Sequence, residues 1–298
     1  MNKIAEQHEL ATSDKQQATK KTTIVSAIVN IALTISQIFA GIISSSQGLI
    51  ADGIHALTDL VADFVVFFAN HHSTKDADED HHYGHHRYET AASLFLGTSL
   101  LLVAAGMLFK AGEKIIYPTS INQIQMIALY VAIGALTVKE LLFRYMLRLA
   151  EQVRSSLLIT NAWHARSDAA SSFVVAVGII GALAGYPILD SIGALIVGLM
   201  VAKAGWKFSW SALQDLMDKS ATQEEIKKIA EIIKATNGVR GFHDLKTRKM
   251  GDMILVDVHI EVDAHLTVKE GHDIVVNARN KIIKELPVLN VMTHVDPV

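Results

Sequence analysis

The sequence lacks cysteine and has little proline and little charge. Without cysteine, neither a disulfide framework nor a thiolate metal site can form, so any bound metal ion needs histidine and carboxylate ligands. Charged residues make up 19% of the chain, against about 25% in an average soluble domain. The four prolines lie in predicted loops or near the chain end, so none of them kinks a predicted helix: Pro118, Pro187, Pro287 and Pro297.

The chain also has no excess of basic residues. Its formal net charge is −3 and its pI is about 6.5, which leaves no general basic surface for nucleic acid. The polar segment 1–21 lacks the apolar core of a cleaved signal peptide, so we expect the first membrane span to direct insertion.

Long apolar runs dominate the first two thirds of the chain, and the mean hydropathy is +0.30. A helix needs about 20 mostly apolar residues to cross a bilayer. Six windows meet this requirement: 22–44, 49–70, 91–110, 123–146, 156–185 and 188–210. Lys and Arg precede the first window and lie between the second and third and between the fourth and fifth. The positive-inside rule therefore places both termini in the cytoplasm.

The distribution of charge predicts where the domains divide. Charges are sparse and clustered from about residue 22 to 212, and they occur at ordinary frequency from 219 to 298. We predict a polar tail over 1–21, a transmembrane domain over 22–212 with a histidine-rich loop at 71–90, and a cytoplasmic metal-binding domain over 219–298.

The C-terminal region has the pattern of a small α+β domain. Thr222 with Glu225, and Thr267 with Glu270, have the spacing of capping boxes that open helices. Strands are predicted at 239–250, 253–262 and 289–295, and the middle one alternates apolar and polar residues as a half-buried strand does. The order α-β-β-α-β predicts a two-layer domain of ferredoxin-like arrangement.

A four-residue spacing of histidine and aspartate occurs in two predicted spans, as His55 with Asp59 and as His164 with Asp168. Residues four apart share one face of a helix, and a carboxylate within a bilayer usually faces a protein interior or a polar path. Two such helices facing each other supply nitrogen and oxygen ligands for zinc or a similar divalent ion. Either pair alone also fits a hydrogen bond between helices. Asp63 continues the first face as a candidate relay or as a residue that merely lies near water.

The loop after the second span, residues 71–86, holds six histidines and four acidic residues. Histidine-rich tracts bind metals by composition. Asp78, His81 and His85 surround the turn expected at Gly84 and are candidate ligands for a loop site. The doublets 71/72, 81/82 and 85/86 leave open which histidine of each pair binds.

Histidines also recur in the C-terminal region. His243 lies in the first half of the first predicted strand, His259 lies on the polar face of the second, and His272 lies on the second helix. His294 and Asp296 share one face of the last strand. These side chains either converge on a metal site, across the sheet or at a dimer seam, or are scattered surface residues.

The motifs together carry a resemblance to a known family. They are the segment 48–59 (GLIADGIHALTD), the loop 81–85 (HHYGH) with Arg87 and Glu89, and the segments 164–168 (HARSD), 243–248 (HDLKTR) and 294–297 (HVDP). On these residues the chain resembles the cation diffusion facilitators, and among them the bacterial ferrous-iron and zinc efflux proteins. The resemblance runs from the first span to Pro297.

The resemblance implies a six-span homodimer in the inner membrane of a bacterium, with a ferredoxin-like cytoplasmic domain, that exports divalent metal ions in exchange for protons. It implies a transport site formed by His55, Asp59, His164 and Asp168, and a loop site formed by Asp78, His81 and His85. It also implies a cytoplasmic site formed by His243, His259, His272, His294 and Asp296. Arg87 and Asp215 fall on the positions of a charge latch.

One position departs from the resemblance. Close bacterial members usually carry aspartate where this chain has His55, and the His-Asp/His-Asp set resembles zinc-selective relatives. We therefore expect Zn²⁺ as the substrate and as a regulatory ligand, with Fe²⁺, Co²⁺, Cd²⁺ or Ni²⁺ as alternatives.

Three other function classes are less well supported. A membrane metal sensor without transport would not need ligands inside the bilayer. A zinc hydrolase would need a motif such as H-E-x-x-H, which is absent, so we do not expect an enzyme. An RNA-binding tail would need several aromatic side chains on its strands, where only Phe242 is found.

Overall fold

The structure is a computed structural model that describes residues 2–73, 75–117, 124–152 and 156–298. The chain divides into two compact units. The first comprises Met1–Phe64 and Thr98–Trp206, and the second comprises Val65–Gly97 and Lys207–Val298. The domain boundaries predicted from composition remain a prediction.

In the described parts of the chain, six long helices precede the first strand: α1 (Asn2–Ser44), α2 (Gln47–Ser73), α3 (Arg87–Ile116), α4 (Met126–Gln152), α5 (Ser156–Leu183) and α6 (Ile188–Leu216). Within the described residues, five stretches are long and apolar enough to cross a membrane: Lys20–Ser44, Arg87–Ile116, Met126–Gln152, Ala162–Leu183 and Ile188–Leu216. They overlap five of the six predicted spans. α2, which carries three aspartates, is not among them, so the sixth span remains a prediction. α1 begins at Asn2, within the segment predicted as a polar tail.

Large apolar side chains are exposed on these helices, among them Phe39 at 67%, Leu102 at 72% and Phe109 at 74%. A surface of this kind is favourable against lipid and costly against water. The helices therefore have the exposed surface that a multi-pass membrane protein requires.

α1 and α2 approach each other closely at two glycines. A Cβ atom on Gly53 would lie 2.7 Å from Ile38 Cγ1 and 3.0 Å from the Ile38 nitrogen, and one on Gly41 would lie 2.9 Å from the Ile50 nitrogen. Small residues at such positions let helix backbones approach within a membrane. Gly41 and Gly53 thus bring α1 against the helix that carries His55.

The C-terminal part of the chain folds as α7 (Gln223–Lys234), β1 (Val239–Met250), β2 (Met253–Val262), α8 (Val268–Glu285) and β3 (Val288–Pro297). β1 pairs antiparallel with β2, and β2 pairs parallel with β3, so the strand order is β1-β2-β3. The predicted order α-β-β-α-β is confirmed, and the sheet is small and mixed. The ferredoxin-like arrangement remains a prediction.

Local signals in this region were accurate. Both predicted capping boxes are present, at Thr222 and at Thr267. The apolar face predicted for β2 is buried in full, and it packs on α7 and α8 residues in one core: Ile254, Val256, Val258, Ile260 and Val262, with Ile229, Ile233, Val275, Ala278 and Ile282. This core holds the polar face of β2, and His259 on it, away from the helices.

Candidate metal centres

α2 and α5 bring three candidate ligands together in the first unit. One ligand atom from each of His55, Asp59 and Asp168 lies within 4.8 Å of the others, and all three side chains are half-buried. His55 Nδ1 lies 3.5 Å from Asp59 Oδ2, a contact expected of residues four apart on one helix. One imidazole nitrogen and two carboxylate oxygens are a ligand set that divalent cations accept.

The remaining two residues of the predicted set lie at its edge. His164 is one helical turn before Asp168 on α5, but its side chain is exposed and belongs to no such group among the described residues. Asp63 lies one turn beyond Asp59 and is also exposed. The structure therefore brings together three of the four residues predicted for the transport site.

A buried polar network that the sequence did not predict lies beside this group. Asp52 of α2 is 0% exposed, Lys139 of α4 is 3% exposed, and Lys139 Nζ lies 3.2 Å from Asp52 Oδ1. Lys139 donates a second hydrogen bond to Ser172 Oγ at 2.7 Å. Asp52 also accepts hydrogen bonds from Gln37 and Ser172. A lysine inside a predicted span was the signal for this network, because such a residue needs an internal partner in lipid.

A second buried carboxylate holds the start of α2. Asp190 of α6 accepts a hydrogen bond from Ser46 Oγ at 2.6 Å and from the backbone nitrogens of Gln47 at 2.6 Å and Gly48 at 3.2 Å. The first N–H groups of a helix lack partners within it and attract an anion. Asp190 therefore caps the helix that carries His55 and Asp59.

The three residues predicted for a loop site lie close together. Ligand atoms of Asp78, His81 and His85 lie within 4.8 Å of one another. His81 Nδ1 lies 3.1 Å from Asp78 Oδ1, and His85 Nε2 lies 3.3 Å from Asp78 Oδ2. Gly84 has a φ of 76°, a backbone conformation that favours glycine, and its nitrogen donates to the His81 carbonyl in the turn between the two histidines.

Asp78 is prepared to act as an anion. Partial desolvation raises the pKa of Asp78, but the hydrogen bonds that it accepts from the backbone and ring of His81 and from the backbone of Asp80 lower that pKa below its usual range. An ionised carboxylate is the form that binds a cation.

The three strands of the C-terminal sheet place three histidines side by side. His243 of β1 pairs with His259 of β2, which pairs with His294 of β3. Opposed residues on neighbouring strands share one face of the sheet, and the ring centroids lie 4.9 and 4.6 Å apart. Asp296 Oδ2 lies 3.0 Å from His243 Nε2 and 3.0 Å from His259 Nδ1, and Asp296 Oδ1 lies 2.7 Å from His294 Nδ1.

The carboxylate of Asp296 is the centre of this cluster. Desolvation raises the pKa of Asp296, but the hydrogen bonds from His259 and His294 lower it below its usual range. Ligand atoms of His243, His259 and Asp296 lie within 4.8 Å of one another. His272 of α8 is exposed and is outside that group. Glu261 Oε1, which the sequence did not single out, lies 3.9 Å from His243 Nε2.

Arg87 forms its ion pair with a different residue from the one predicted. Its Nη2 atom lies 2.9 Å from Asp218 Oδ1, whereas the sequence suggested Asp215. Asp215 lies in the last turn of α6, whereas Asp218 follows the helix in a turn where its φ is 57°. That turn directs the later acid toward Arg87, which sequence spacing alone does not show.

Two family models match nearly the whole chain. The cation efflux transmembrane domain matches residues 23–217, and the cytoplasmic domain of cation efflux proteins matches residues 221–298. The chain belongs to the cation diffusion facilitator family. Members of this family are transporters, so this protein is a multi-pass membrane protein for metal efflux and is not an enzyme, as the sequence predicted.

Three relatives of this member of the family are similar to it over almost their full length. An uncharacterized transporter of Methanocaldococcus jannaschii is 35% identical over 277 residues, which cover 93% of this chain and 98% of the relative. Magnetosome protein MamB of Magnetospira sp. is 35% identical over 272 residues, covering 91% and 92%. Manganese efflux system protein MneS of Bacillus subtilis is 33% identical over 280 residues, covering 92% and 94%.

Proposed function

We propose that this cation diffusion facilitator exports Zn²⁺ from the cytoplasm in exchange for protons. The observation that carries the proposal is the group of His55, Asp59 and Asp168, whose ligand atoms lie within 4.8 Å of one another on two helices of the first unit. His164 is the proposed fourth ligand, because it lies one helical turn before Asp168 on α5; its ring would have to turn toward the group to bind the ion. Asp63 is proposed as a relay beyond Asp59.

Ligand chemistry favours zinc over manganese. Imidazole suits Zn²⁺, Fe²⁺ and Ni²⁺, whereas sites made only of oxygen ligands suit Mn²⁺. A relative 33% identical to this chain is named a manganese efflux system protein, which makes Mn²⁺ the second candidate substrate. The two carboxylates of the group are compatible with either ion, so among the ligands it is His55 that distinguishes zinc from manganese.

Proton exchange follows from the same ligands. Metal binding requires neutral imidazole and ionised carboxylate, so each metal ion that binds displaces protons. Loss of the metal ion on the far side would leave the same histidine and carboxylate side chains free to take up protons again.

The proposed architecture is a homodimer with six spans in each chain, in which α2 is the span that carries His55 and Asp59. Both termini lie in the cytoplasm, and the membrane is the inner membrane of a bacterium. The proposed parts are a tail over 1–21, a transmembrane domain over 22–212 and a ferredoxin-like cytoplasmic domain over 219–298. The α-β-β-α-β order supports that last arrangement, which would lack the first strand of the full β-α-β-β-α-β unit.

The two other groups are proposed as accessory zinc sites. Asp78, His81 and His85 would bind Zn²⁺ in the loop. His243, His259 and Asp296, with His294 and His272 nearby, would sense cytoplasmic Zn²⁺ and bring the tails of a dimer together. Arg87 and Asp218 are the proposed charge latch, in place of Arg87 and Asp215.

Zinc flux into proteoliposomes with an imposed pH gradient tests the proposal. Asp168→Ala should abolish flux, whereas Asp80→Ala, which removes an exposed acid of the loop, should preserve it. His55→Asp should increase Mn²⁺ flux relative to Zn²⁺ flux. Undiminished flux in Asp168→Ala would move the transport site elsewhere, and flux that survives loss of the pH gradient at constant voltage would exclude proton exchange. A wild-type protein that binds zinc but moves none would favour the sensor.

A further inference from the structure

We infer that the buried pair of Asp52 and Lys139 is a positioning element that holds α2 and α5 in register, and that it thereby sets the affinity and metal preference of the transport site. This inference rests on the proposed function, since it takes His55, Asp59 and Asp168 as that site. Neither residue of the pair is proposed to touch the metal ion.

The ammonium group of Lys139 is held in one place. It lies 3.2 Å from Asp52 Oδ1, 2.7 Å from Ser172 Oγ and 3.4 Å from the backbone carbonyl oxygen of Asp168. A lysine ammonium has three N–H donors, so each donor has one acceptor. Lys139 is 3% exposed, which leaves water little access to compete for these bonds.

The carboxylate of Asp52 is held as firmly. It accepts from Lys139 and from the side chains of Gln37 and Ser172, and Ser171 Oγ lies 2.9 Å from its Oδ1 atom. Ser172 both accepts from Lys139 and donates to Asp52, so it links the two charged groups a second time. The donors lie on α1, α4 and α5, and the acceptor lies on α2.

The network touches the ligands on both helices. Asp52 lies three residues before His55, which is about one turn of α2. On α5 the contact is direct, since Lys139 reaches the carbonyl of Asp168 and Ser171 Oγ lies 2.7 Å from the same oxygen. A shift of α5 along α2 would therefore break this network and separate Asp168 from His55 and Asp59 at the same time.

A role in stability alone explains the pair poorly. Burying two charges costs desolvation energy that their attraction seldom exceeds, so an apolar pair of similar volume commonly serves stability as well. Metal binding is sensitive to displacements of the ligand atoms by about 0.2 Å. Removing a group that orients a ligand typically lowers metal affinity by about 10-fold to 100-fold. The position of Asp52 and Lys139 beside the ligand residues fits a role in orienting those ligands.

The test compares variants that preserve charge balance. Asp52→Leu with Lys139→Met removes both charges and leaves neither unpaired. Ser172→Ala removes only the hydroxyl that links them. Ser44→Ala is the matched control, because Ser44 is also 0% exposed and its hydroxyl donates to the carbonyl oxygen of Ala40 in the same helix at 2.6 Å, without contacting a ligand residue.

Zinc transport by the full-length protein in proteoliposomes is the readout, as KM and maximal rate with Zn²⁺ and with Mn²⁺. We expect the double variant to raise the KM for Zn²⁺ about tenfold or more, with a smaller effect on the maximal rate and a changed Zn²⁺ to Mn²⁺ preference. Ser172→Ala should raise KM by a smaller factor and Ser44→Ala should leave it unchanged. Lys139→Arg, which retains a cation beside Asp52, should raise KM less than the double variant does.

Two results would overturn the inference. One is a double variant with wild-type KM and metal preference. The other is an equal increase of KM in Ser172→Ala and Ser44→Ala, and this comparison decides the matter even when the double variant does not fold. Asp168→Ala in the same assay separates the two proposals. Normal transport by Asp168→Ala rejects the proposed function, whereas loss of transport there, with wild-type KM in the double variant, rejects only this inference.

Discussion

His85 Nε2 lies 3.3 Å from Asp78 Oδ2, and the other ring nitrogen of His85 lies 3.2 Å from the carbonyl oxygen of Asp76. A carbonyl oxygen and a carboxylate oxygen both only accept hydrogen bonds, so each ring nitrogen of His85 faces an acceptor. A cation bound between Nε2 and Asp78 would leave Nδ1 to donate to the Asp76 carbonyl, an arrangement that orients a metal-binding imidazole. His85 is buried, so this orientation is held by the loop itself.

Asp78→Ala should therefore lower the number of zinc ions bound per chain by one. The carboxylate contacts both histidines of the loop site, and its removal leaves two imidazoles without an anion. Equilibrium dialysis of the full-length protein with elemental analysis measures this number. Asp80→Ala removes an exposed acid two residues away and should leave the number unchanged. A loop that binds zinc equally well in Asp78→Ala would contradict the proposed site.

His259→Ala should abolish zinc-induced stabilisation of the C-terminal sheet. A ligand that binds only the folded state, at a free concentration 100 times its Kd, stabilises it by about 2.7 kcal/mol. His259 is central to the cluster, since its ring lies between those of His243 and His294. Thermal unfolding with and without zinc shows the effect. His265→Ala, at an exposed histidine outside the cluster, should retain the full zinc-dependent shift.

The first turn of α8 should loosen at acidic pH. Hydrogen bonds from the hydroxyl and backbone N–H of Thr267 lower the pKa of Glu270 in the folded state. A carboxyl with a lowered folded pKa contributes stability above its unfolded pKa, about 4.3 for glutamate, and this contribution is lost as pH falls through the folded value.

Glu270→Gln keeps the capping box but carries no charge. Between about pH 6 and about pH 3, the protection of the first turn of α8 against hydrogen exchange, corrected for intrinsic rates, should fall less in Glu270→Gln than in the wild type. Glu285→Gln, at the other end of the same helix, should behave as the wild type does. An equal decline in Glu270→Gln would exclude the titration of this residue as the cause.

Gly53→Ala should destabilise the contact between α1 and α2. The added Cβ atom would lie 2.7 Å from Ile38 Cγ1 and 3.0 Å from the Ile38 nitrogen, and overpacking of this kind costs about 1–3 kcal/mol. Gly106→Ala is the control, because a Cβ atom there would meet nothing within 4 Å and alanine favours a helix by up to about 1 kcal/mol. Thermal stability in detergent distinguishes the two variants, and equal midpoints would contradict the close approach.

Much of the fold followed from local patterns. Local patterns predicted the capping boxes at Thr222 and Thr267, the alternating face of β2 and five of the long apolar spans. Each of these patterns depends on residues close together in the sequence, and each was confirmed. The loop group of Asp78, His81 and His85 is equally local, so sequence spacing was enough to propose its members together.

The sequence by itself determined which helices and strands form and which residue types are available to bind metal, because periodicity and spacing act over a few residues. Only the tertiary structure decided which of these residues meet. Lys139 and Asp52 are 87 positions apart, and their pairing depends on how α4 packs beside α2. The alignment of His243, His259 and His294 depends on strand register, and the choice of Asp218 over Asp215 depends on the turn after α6. Such contacts are set by packing between distant segments, which no local pattern encodes.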